Sequence, residues 1–161
     1  MTTSIPTGDV HDFDFFVGTW NVAHRRLKAR LAGSDEWDSF PGTARCEQRL
    51  GGLVNVDENV FPTKGFGGLT LRVFDPAQRR WSIWWVDSRV GVLTPPVVGG
   101  FTGDHGTFFG EDSHDGRKID VWFRWTRLGG DAARWEQAFS LDGRDWEWNW
   151  VMDFTRAAAA G

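Results

Sequence analysis

The sequence predicts an all-β protein: a single antiparallel up-and-down β-barrel of about ten strands. The first reason is the aromatic content, because the 161-residue chain has eleven Trp, thirteen Phe and no Tyr. Most of these rings fall at alternate positions in short runs, which places them on one face of a strand. The second reason is the turn residues that separate these runs at regular spacing. A meander of this length is expected to curl and close, which removes its exposed edges.

The strand signals follow one another along nearly the whole chain. Before the first strand, segment 8–15 is predicted to form one short helical turn, capped by Asp9, whose phenylalanines plug one end of the barrel. Segment 88–100 is rich in Gly, Val and Pro and is compatible with a portal loop or with two short strands. The candidate strands are roughly 16–31, 37–50, 53–61, 67–75, 79–87, 89–94, 97–102, 106–111, 117–127, 133–141 and 145–155.

Length and charge restrict the class of protein. We expect an N-terminal segment at 1–12, one barrel domain at 13–156 and a frayed tail at 157–161. The formal net charge of −4 and the pI near 5.5 give no electrostatic reason to expect nucleic acid or a membrane surface as partner. The single cysteine, Cys46, excludes an intrachain disulfide. Without a signal-peptide or membrane-span pattern, a cytoplasmic protein is expected.

Strand parity predicts which side chains face the interior, because the more apolar side of each strand should point inward. On strand 53–61 this criterion turns Val54, Val56, Glu58 and Val60 inward. On the last strand it turns every second residue from Trp146 to Phe154 inward. The predicted ligand-binding residues are Gln48, Glu58, Trp85, Trp125, Gln137 and Trp148.

Two titratable side chains are the candidates for chemistry. Glu58 on a Val-lined face could act as a general acid or base or bind a ligand cation, because burial raises the pKa of a carboxyl. It could equally pair with Arg72 or Arg45, or lie near the barrel mouth. His24 could be a general base or a metal ligand, or it could face solvent beside the two arginines that follow it.

The other candidates also have structural explanations. Gln48 and Gln137 could orient a ligand, although buried amides also bond one another or water. Most of the tryptophans must fill the core. The acidic residues Asp112, Asp115 and Asp120 lie near one turn but are typical of solvated carboxylates. Since the sequence has no phosphate loop, no His-Glu-x-x-His and no Gly-x-Ser-x-Gly, we predict neither a metal site nor a cofactor.

Several motifs, taken in order, carry a family resemblance that covers residues 13–156. The chain resembles the calycins, the lipocalin-like and fatty-acid-binding-like barrels, and more narrowly the uncharacterised bacterial families related to nitrobindin. In calycins, a tryptophan of the first strand closes one end of the barrel and an arginine of the last strand packs across it, which implies these roles for Trp20 and Arg156. The motifs are the Phe-x-x-Gly-Thr-Trp run ending at Trp20, Phe74-Asp75-Pro76, Trp135-Glu136-Gln137, Asp142-Gly143, Trp146-Glu147 and Phe154-Thr155-Arg156.

The resemblance also raises the question of haem. Nitrobindin-like barrels bind haem through a histidine close to the C-terminal strand, but this chain has no histidine after His114. The family's iron ligand therefore has no counterpart here. Only His24 or Cys46 could substitute for it, and nothing in the sequence supports either.

Two functions from different classes fit these observations. The first is binding of a small, largely apolar molecule, aromatic or lipid-like, inside the barrel. The second is a cofactor-independent isomerase, cyclase or lyase that uses the same cavity with Glu58 or His24 as acid or base. We favour binding, because no pair of groups with separate acid and base roles can be located. Large apolar side chains on the predicted outer face, Trp84 and Trp122, suggest a homodimer contact.

Overall fold

Ten antiparallel strands close into one barrel in the computed structural model, which describes residues 4–158. A single-turn 3₁₀ helix, Asp14–Phe16, precedes the first strand, and a tight turn with positive φ at Leu50, Gly51 and Gly52 connects the second strand to the third. No helix in this part of the chain has the length and apolar character needed to cross a bilayer. The strands are β1 (Gly18–Leu27), β2 (Trp37–Arg49), β3 (Val54–Phe61), β4 (Phe66–Asp75), β5 (Arg80–Asp87), β6 (Val97–Thr102), β7 (His105–His114), β8 (Arg117–Arg127), β9 (Ala132–Ser140) and β10 (Glu147–Arg156).

The topology is the predicted up-and-down meander. Each strand pairs with the next along the chain, and β1 pairs with β10 from Trp20 opposite Arg156 to Arg26 opposite Trp150. This last pairing satisfies the edges that an open sheet would leave exposed. The turn signals have the expected geometry: Asp115 and Gly116, between β7 and β8, both have positive φ, 50° and 76°. Positive φ at both central residues is what a type I′ hairpin turn requires.

Segment 88–100 resolves the two alternatives that its composition left open. Residues 88–96 form a connection whose bridge to the sheet joins Leu93 to Val86, and only from Val97 does the chain enter β6. The consecutive Pro95 and Pro96 lack the N–H groups that a paired strand donates. The predicted strand at 89–94 is therefore wrong: residues 88–96 are a loop, and the chain from Val97 is the predicted strand at 97–102.

The N-terminal 3₁₀ turn closes one end of the barrel. It begins at Asp14, later than predicted, and the Asp9 carboxylate accepts from the His11 backbone N–H instead of capping it. Phe13 and Phe16 are fully buried inside the barrel. We call this the closed end. The predicted tail 157–161 lies partly outside the described residues, as do residues 1–3 of the predicted N-terminal segment.

Trp20 and Arg156 make the contact that the calycin resemblance implies. The Arg156 guanidinium lies 4.2 Å from the centre of the Trp20 ring and donates to the backbone carbonyl of Val17 at 2.9 Å. The indole Nε1–H of Trp20 donates to the Phe16 carbonyl at 2.8 Å. These bonds fix the 3₁₀ turn against the first and last strands.

The inner and outer faces of strand β3 are the reverse of those predicted. Asn55, Asp57 and Asn59 are buried inside the barrel, whereas Glu58 and Val60 are exposed on its outer face. The parity criterion failed because Arg72 on β4 donates to Asn55 and Asp57, and these bonds offset much of the cost of burying polar side chains. The prediction that Glu58 faces the interior is therefore wrong.

A β-bulge in β10 explains why Trp146 and Trp148 lie on the outer face and not on the predicted inner face. Trp148 pairs with Ala138 but Trp150 pairs with Gln137, which makes Asn149 an extra residue. Trp150 consequently faces the interior, while Trp148 packs outside, 4.8 Å from Trp122 between ring centres. Trp146 joins the same outer cluster. The predicted continuous inward stripe of the last strand is thus correct only after the bulge.

Candidate functional site

A cavity of about 390 Å³ occupies the barrel between the closed end and the opposite, open end. The open end, which we call the mouth, is formed by the connections that follow β1, β3, β5, β7 and β9. One side of the cavity wall is aromatic because β5, β8, β9 and β10 present rings at alternate positions. The phenylalanines and tryptophans that line it are Trp85, Phe123, Trp125, Trp135, Phe139, Trp150 and Phe154.

The lining rings hold one another in place. Trp150 is perpendicular to Trp85 and nearly so to Trp135, with ring centres 6.2 and 5.5 Å apart. Phe123 meets Trp135 edge to face at 4.9 Å. Such edge-to-face pairs are favourable beyond the burial of their area. The wall is therefore a preformed apolar surface.

A buried polar network lies on the β3–β4 side of this wall. Arg72 donates to the Asp57 carboxylate at 2.7 Å and to the Asn55 side-chain oxygen at 2.8 Å. Asn59 donates to the second Asp57 oxygen at 2.7 Å. The positive and negative charges compensate each other, and charge-assisted bonds of this kind are strong. Arg72, Asp57 and Asn59 contribute to the cavity lining as a neutral polar patch.

Aromatic rings also surround the Arg72 guanidinium. Its central carbon lies 4.8 Å from the ring centre of Phe13, 5.3 Å from that of Phe16 and 5.6 Å from that of Trp125. A cation over aromatic faces is stabilised by the ring quadrupoles, most strongly where water is excluded. The network thereby connects Phe13 and Phe16, the plug of the closed end, to the inner end of the cavity.

Of the six predicted ligand-binding residues, the structure brings three to the cavity: Trp85, Trp125 and Gln137. The Gln137 amide donates to the Asn149 side-chain oxygen at 2.9 Å, so the bulge residue satisfies part of its hydrogen-bonding capacity. Strand parity located all three correctly, because β5, β8 and β9 alternate without interruption up to these positions.

The other three lie elsewhere. Gln48 donates to the Asp14 carboxylate at 2.6 Å at the closed end, because β2 has reached that end by this residue. Glu58 and Trp148 are on the outer face, for the reasons given above. The predicted face was wrong for Glu58 on β3 and for Trp148 on β10. Gln48 is misplaced because its position along β2 is at the closed end, beyond the cavity.

His24 is buried, only 1% exposed, and the alternative that it faces solvent is wrong. Its Nδ1 accepts a hydrogen bond from the Trp150 indole at 3.1 Å, and its ring stacks on Phe40 at 4.6 Å. Burial, with a smaller effect of the Arg26 charge, lowers the pKa of His24 to about 4. His24 is therefore a neutral ring that lies behind the wall and is not among the cavity-lining residues.

The mouth carries three arginines that the sequence analysis did not identify: Arg26, Arg30 and Arg89. Arg89 forms two hydrogen bonds to Asp87, at 2.7 and 3.0 Å. Burial lowers the pKa of Arg26 to about 10, and the neighbouring Arg30 and Arg89 charges act in the same direction. Arg26 shares the parity of Trp20, so alternation on β1 could have revealed it, but the two loop arginines follow no strand pattern.

The side chains that could replace the missing haem ligand do not fit an iron site in the cavity. His24 lies behind the lining, and the Cys46 thiol donates to Asn55 at 3.2 Å while burial raises its pKa to about 12. An iron-binding cysteine must be a thiolate. His114 does reach the mouth, but it lies on β7, beside Asp115, and not on the C-terminal strand. Within residues 4–158, no group of three or more His, Cys, Asp or Glu side chains could hold a metal ion.

Comparison with known proteins adds no family. The sequence matches no protein-family model and no curated protein. The narrower resemblance to nitrobindin-related families therefore rests on the motifs alone, and the barrel rests on the structure.

Proposed function

We propose that this protein binds a small, largely apolar molecule, aromatic or lipid-like, inside the barrel. The observation that carries the proposal is the cavity itself, with about 390 Å³ of space and a wall of fixed aromatic rings. Binding sites for small molecules are concave and largely preformed, with an apolar wall and polar groups that orient the ligand. This cavity combines aromatic rings with the inner polar side chains Arg72, Asp57, Asn59 and Gln137, and it has further charged side chains at its mouth.

An enzymatic use of the cavity finds no comparable support in its geometry. A general acid or base must lie within hydrogen-bonding reach of the substrate. Of the two candidates, Glu58 is on the outer face and His24 lies behind the aromatic lining. Among the carboxylates that line the cavity, Asp57 is engaged by Arg72 and Asn59, and Asp87 at the mouth is engaged by Arg89.

Filling the cavity tests the proposal. Thr70 lines it, whereas the next residue, Leu71, lies on the other face of β4. A panel of hydrophobic dyes, fatty acids and aromatic compounds is titrated by calorimetry against the native protein, Thr70→Phe and the matched control Leu71→Phe. We expect a ligand with affinity better than about millimolar whose binding weakens on the order of tenfold or more in Thr70→Phe only. If the folded native protein binds no member of the panel, or Thr70→Phe binds it equally well, the proposal is wrong.

A further inference from the structure

The cavity mouth concentrates positive charge next to an apolar interior. Arg26 lies near the end of β1, Arg30 in the connection that follows it, and Arg89 in the connection after β5. All three line the cavity, and they also border a second depression on the rim. Like charges at close range repel, and they do so more strongly where water is partly excluded. An arrangement of this kind is expected to have a compensating anion.

The protein supplies such an anion to only one of the three. Arg89 is paired with Asp87. Arg26 and Arg30 form no ion pair and no side-chain hydrogen bond with any residue that the structure describes, and the Nε atom of each is buried without a partner. Their terminal nitrogens are therefore available donors at the mouth.

The acidic residues nearby have other partners. Both Glu147 carboxylate oxygens accept from the Leu31 backbone N–H, at 2.8 and 3.1 Å. The Asp115 carboxylate oxygen lies 3.4 Å from Nε2 of His114. Asp112, which lines the mouth, accepts a hydrogen bond from the Ser113 backbone N–H at 2.8 Å. They reduce the positive potential of the mouth without pairing with Arg26 or Arg30.

Arg26 is also held in position for a ligand. Its guanidinium lies over the Trp150 ring, 4.4 Å from the ring centre, and Trp150 itself is part of the cavity wall. A guanidinium held over a ring face keeps its terminal N–H groups free for a bidentate contact with a carboxylate. A molecule in contact with the Trp150 ring would thus have this edge close to one of its ends. The pKa of Arg26, about 10, keeps the group charged at neutral pH.

We propose that the ligand of the cavity is an amphipathic carboxylate, with its apolar body against the aromatic wall and its carboxylate bound by Arg26 and Arg30 at the mouth. The inference rests on the proposed function and specifies the class of ligand. A ligand with a cationic head is disfavoured because it would approach two unpaired arginines. A neutral ligand would leave both of them uncompensated, which costs free energy in a partly buried site.

Three probes that share one ring system separate these cases: 2-naphthoate, 2-naphthamide and 2-naphthylmethylammonium. Their dissociation constants are measured by calorimetry on the native protein, at low and at high salt. We expect 2-naphthoate to bind roughly tenfold or more tightly than the amide and the ammonium to bind most weakly. Salt should reduce the preference for the anion, because ions screen partly exposed charges.

Variants then test the assignment to the two arginines. In Arg26→Gln/Arg30→Gln the affinity for 2-naphthoate should fall to that for 2-naphthamide, whose own affinity should stay within about twofold. Arg25→Gln is the matched control, since Arg25 is the neighbour of Arg26 on β1 and is exposed on the outer face. Arg25→Gln should keep the full preference. Arg30→Gln alone, on the loop, should lose part of the preference if the double variant does not fold.

The outcomes distinguish this inference from the proposed function. If the three probes bind equally well, or the ammonium binds best, the carboxylate site is wrong while the apolar cavity function stands. If the preference for the anion survives in Arg26→Gln/Arg30→Gln, its assignment to these arginines is wrong. If no probe binds to the folded protein, the inference fails, and the wider panel of hydrophobic dyes, fatty acids and aromatic compounds decides whether the proposed function fails with it.

Discussion

Arg72 donates a hydrogen bond to Asp57 at 2.7 Å, and each of these two side chains is only 3% exposed. The pair lies inside the barrel on adjacent strands, between the plug of the closed end and the cavity. Removing two charges from water is costly, and their attraction offsets this cost only when further hydrogen bonds satisfy the remaining groups. Asn55 supplies one such bond to Arg72 and Asn59 one to Asp57, while the Nε atom of Arg72 has no partner among the described residues. The stability of the barrel should therefore depend on keeping both charges together.

Replacing Arg72 by Met tests this dependence. The variant leaves the Asp57 carboxylate buried without its cation, so we expect the free energy of unfolding, measured in urea, to fall by roughly 3–5 kcal/mol. Arg72→Met/Asp57→Leu should recover much of the loss, because no unpaired charge remains. Arg45→Met, which breaks an exposed ion pair with Glu47 on the outer face, is the control and should change little. A small loss in Arg72→Met would show that water reaches Asp57 and that the pair is not truly buried.

Alternation of aromatic residues predicted the barrel and half of its proposed lining correctly. Trp85 and Trp125 reach the cavity because their strands keep a period of two without a bulge up to these positions. The contact between Trp20 and Arg156 is confirmed as well, since the first and last strands of a closed meander must pair. These features depend on one strand at a time or on the order of strands, and both can be read from a sequence.

The predictions that failed depend on partners in other strands. On β3, the three valines Val54, Val56 and Val60 suggested the wrong inner face, because Arg72 on β4 makes a polar inner face tolerable. On β10, the extra residue Asn149 changes the face between Trp148 and Trp150. Neither the cross-strand ion pair nor the bulge has a local sequence signal. Two of the mouth arginines, Arg30 and Arg89, lie in loops, where strand alternation makes no prediction.

The outer position of Glu58 leads to a second prediction. Glu58→Gln should leave the free energy of unfolding within about 0.5 kcal/mol of the native value, because the side chain is exposed. Affinity for any cavity ligand should also be unchanged. Its neighbour on the inner face provides the contrast, since Asp57→Asn removes the charge that compensates Arg72 and should destabilise the protein strongly. A clear loss of ligand binding in Glu58→Gln, with the fold intact, would restore Glu58 as a functional residue.

His24 makes stability depend on pH in a defined interval. Its ordinary pKa of 6.5 describes the unfolded chain, whereas burial lowers the pKa in the folded protein to about 4. Between these two values the unfolded chain binds a proton that the folded protein does not, so protonation favours unfolding. The stabilisation is complete above about pH 6.5 and is lost as the pH falls towards 4, where both states are protonated. The size of this contribution is on the order of 3 kcal/mol.

His24→Gln tests this contribution, because an amide can accept the hydrogen bond of the Trp150 indole but does not titrate. Urea unfolding is measured at several pH values from 8 to about 4, and the difference in free energy between native protein and variant is plotted against pH. We expect this difference to be constant above about pH 6.5 and to shift in favour of His24→Gln below it. The control is His105→Gln, since His105 is exposed at the start of β7 and should leave the pH profile of the native protein unchanged. If the native protein and His24→Gln lose stability in parallel as the pH falls, His24 is protonated in the folded state and its burial as a neutral ring is refuted.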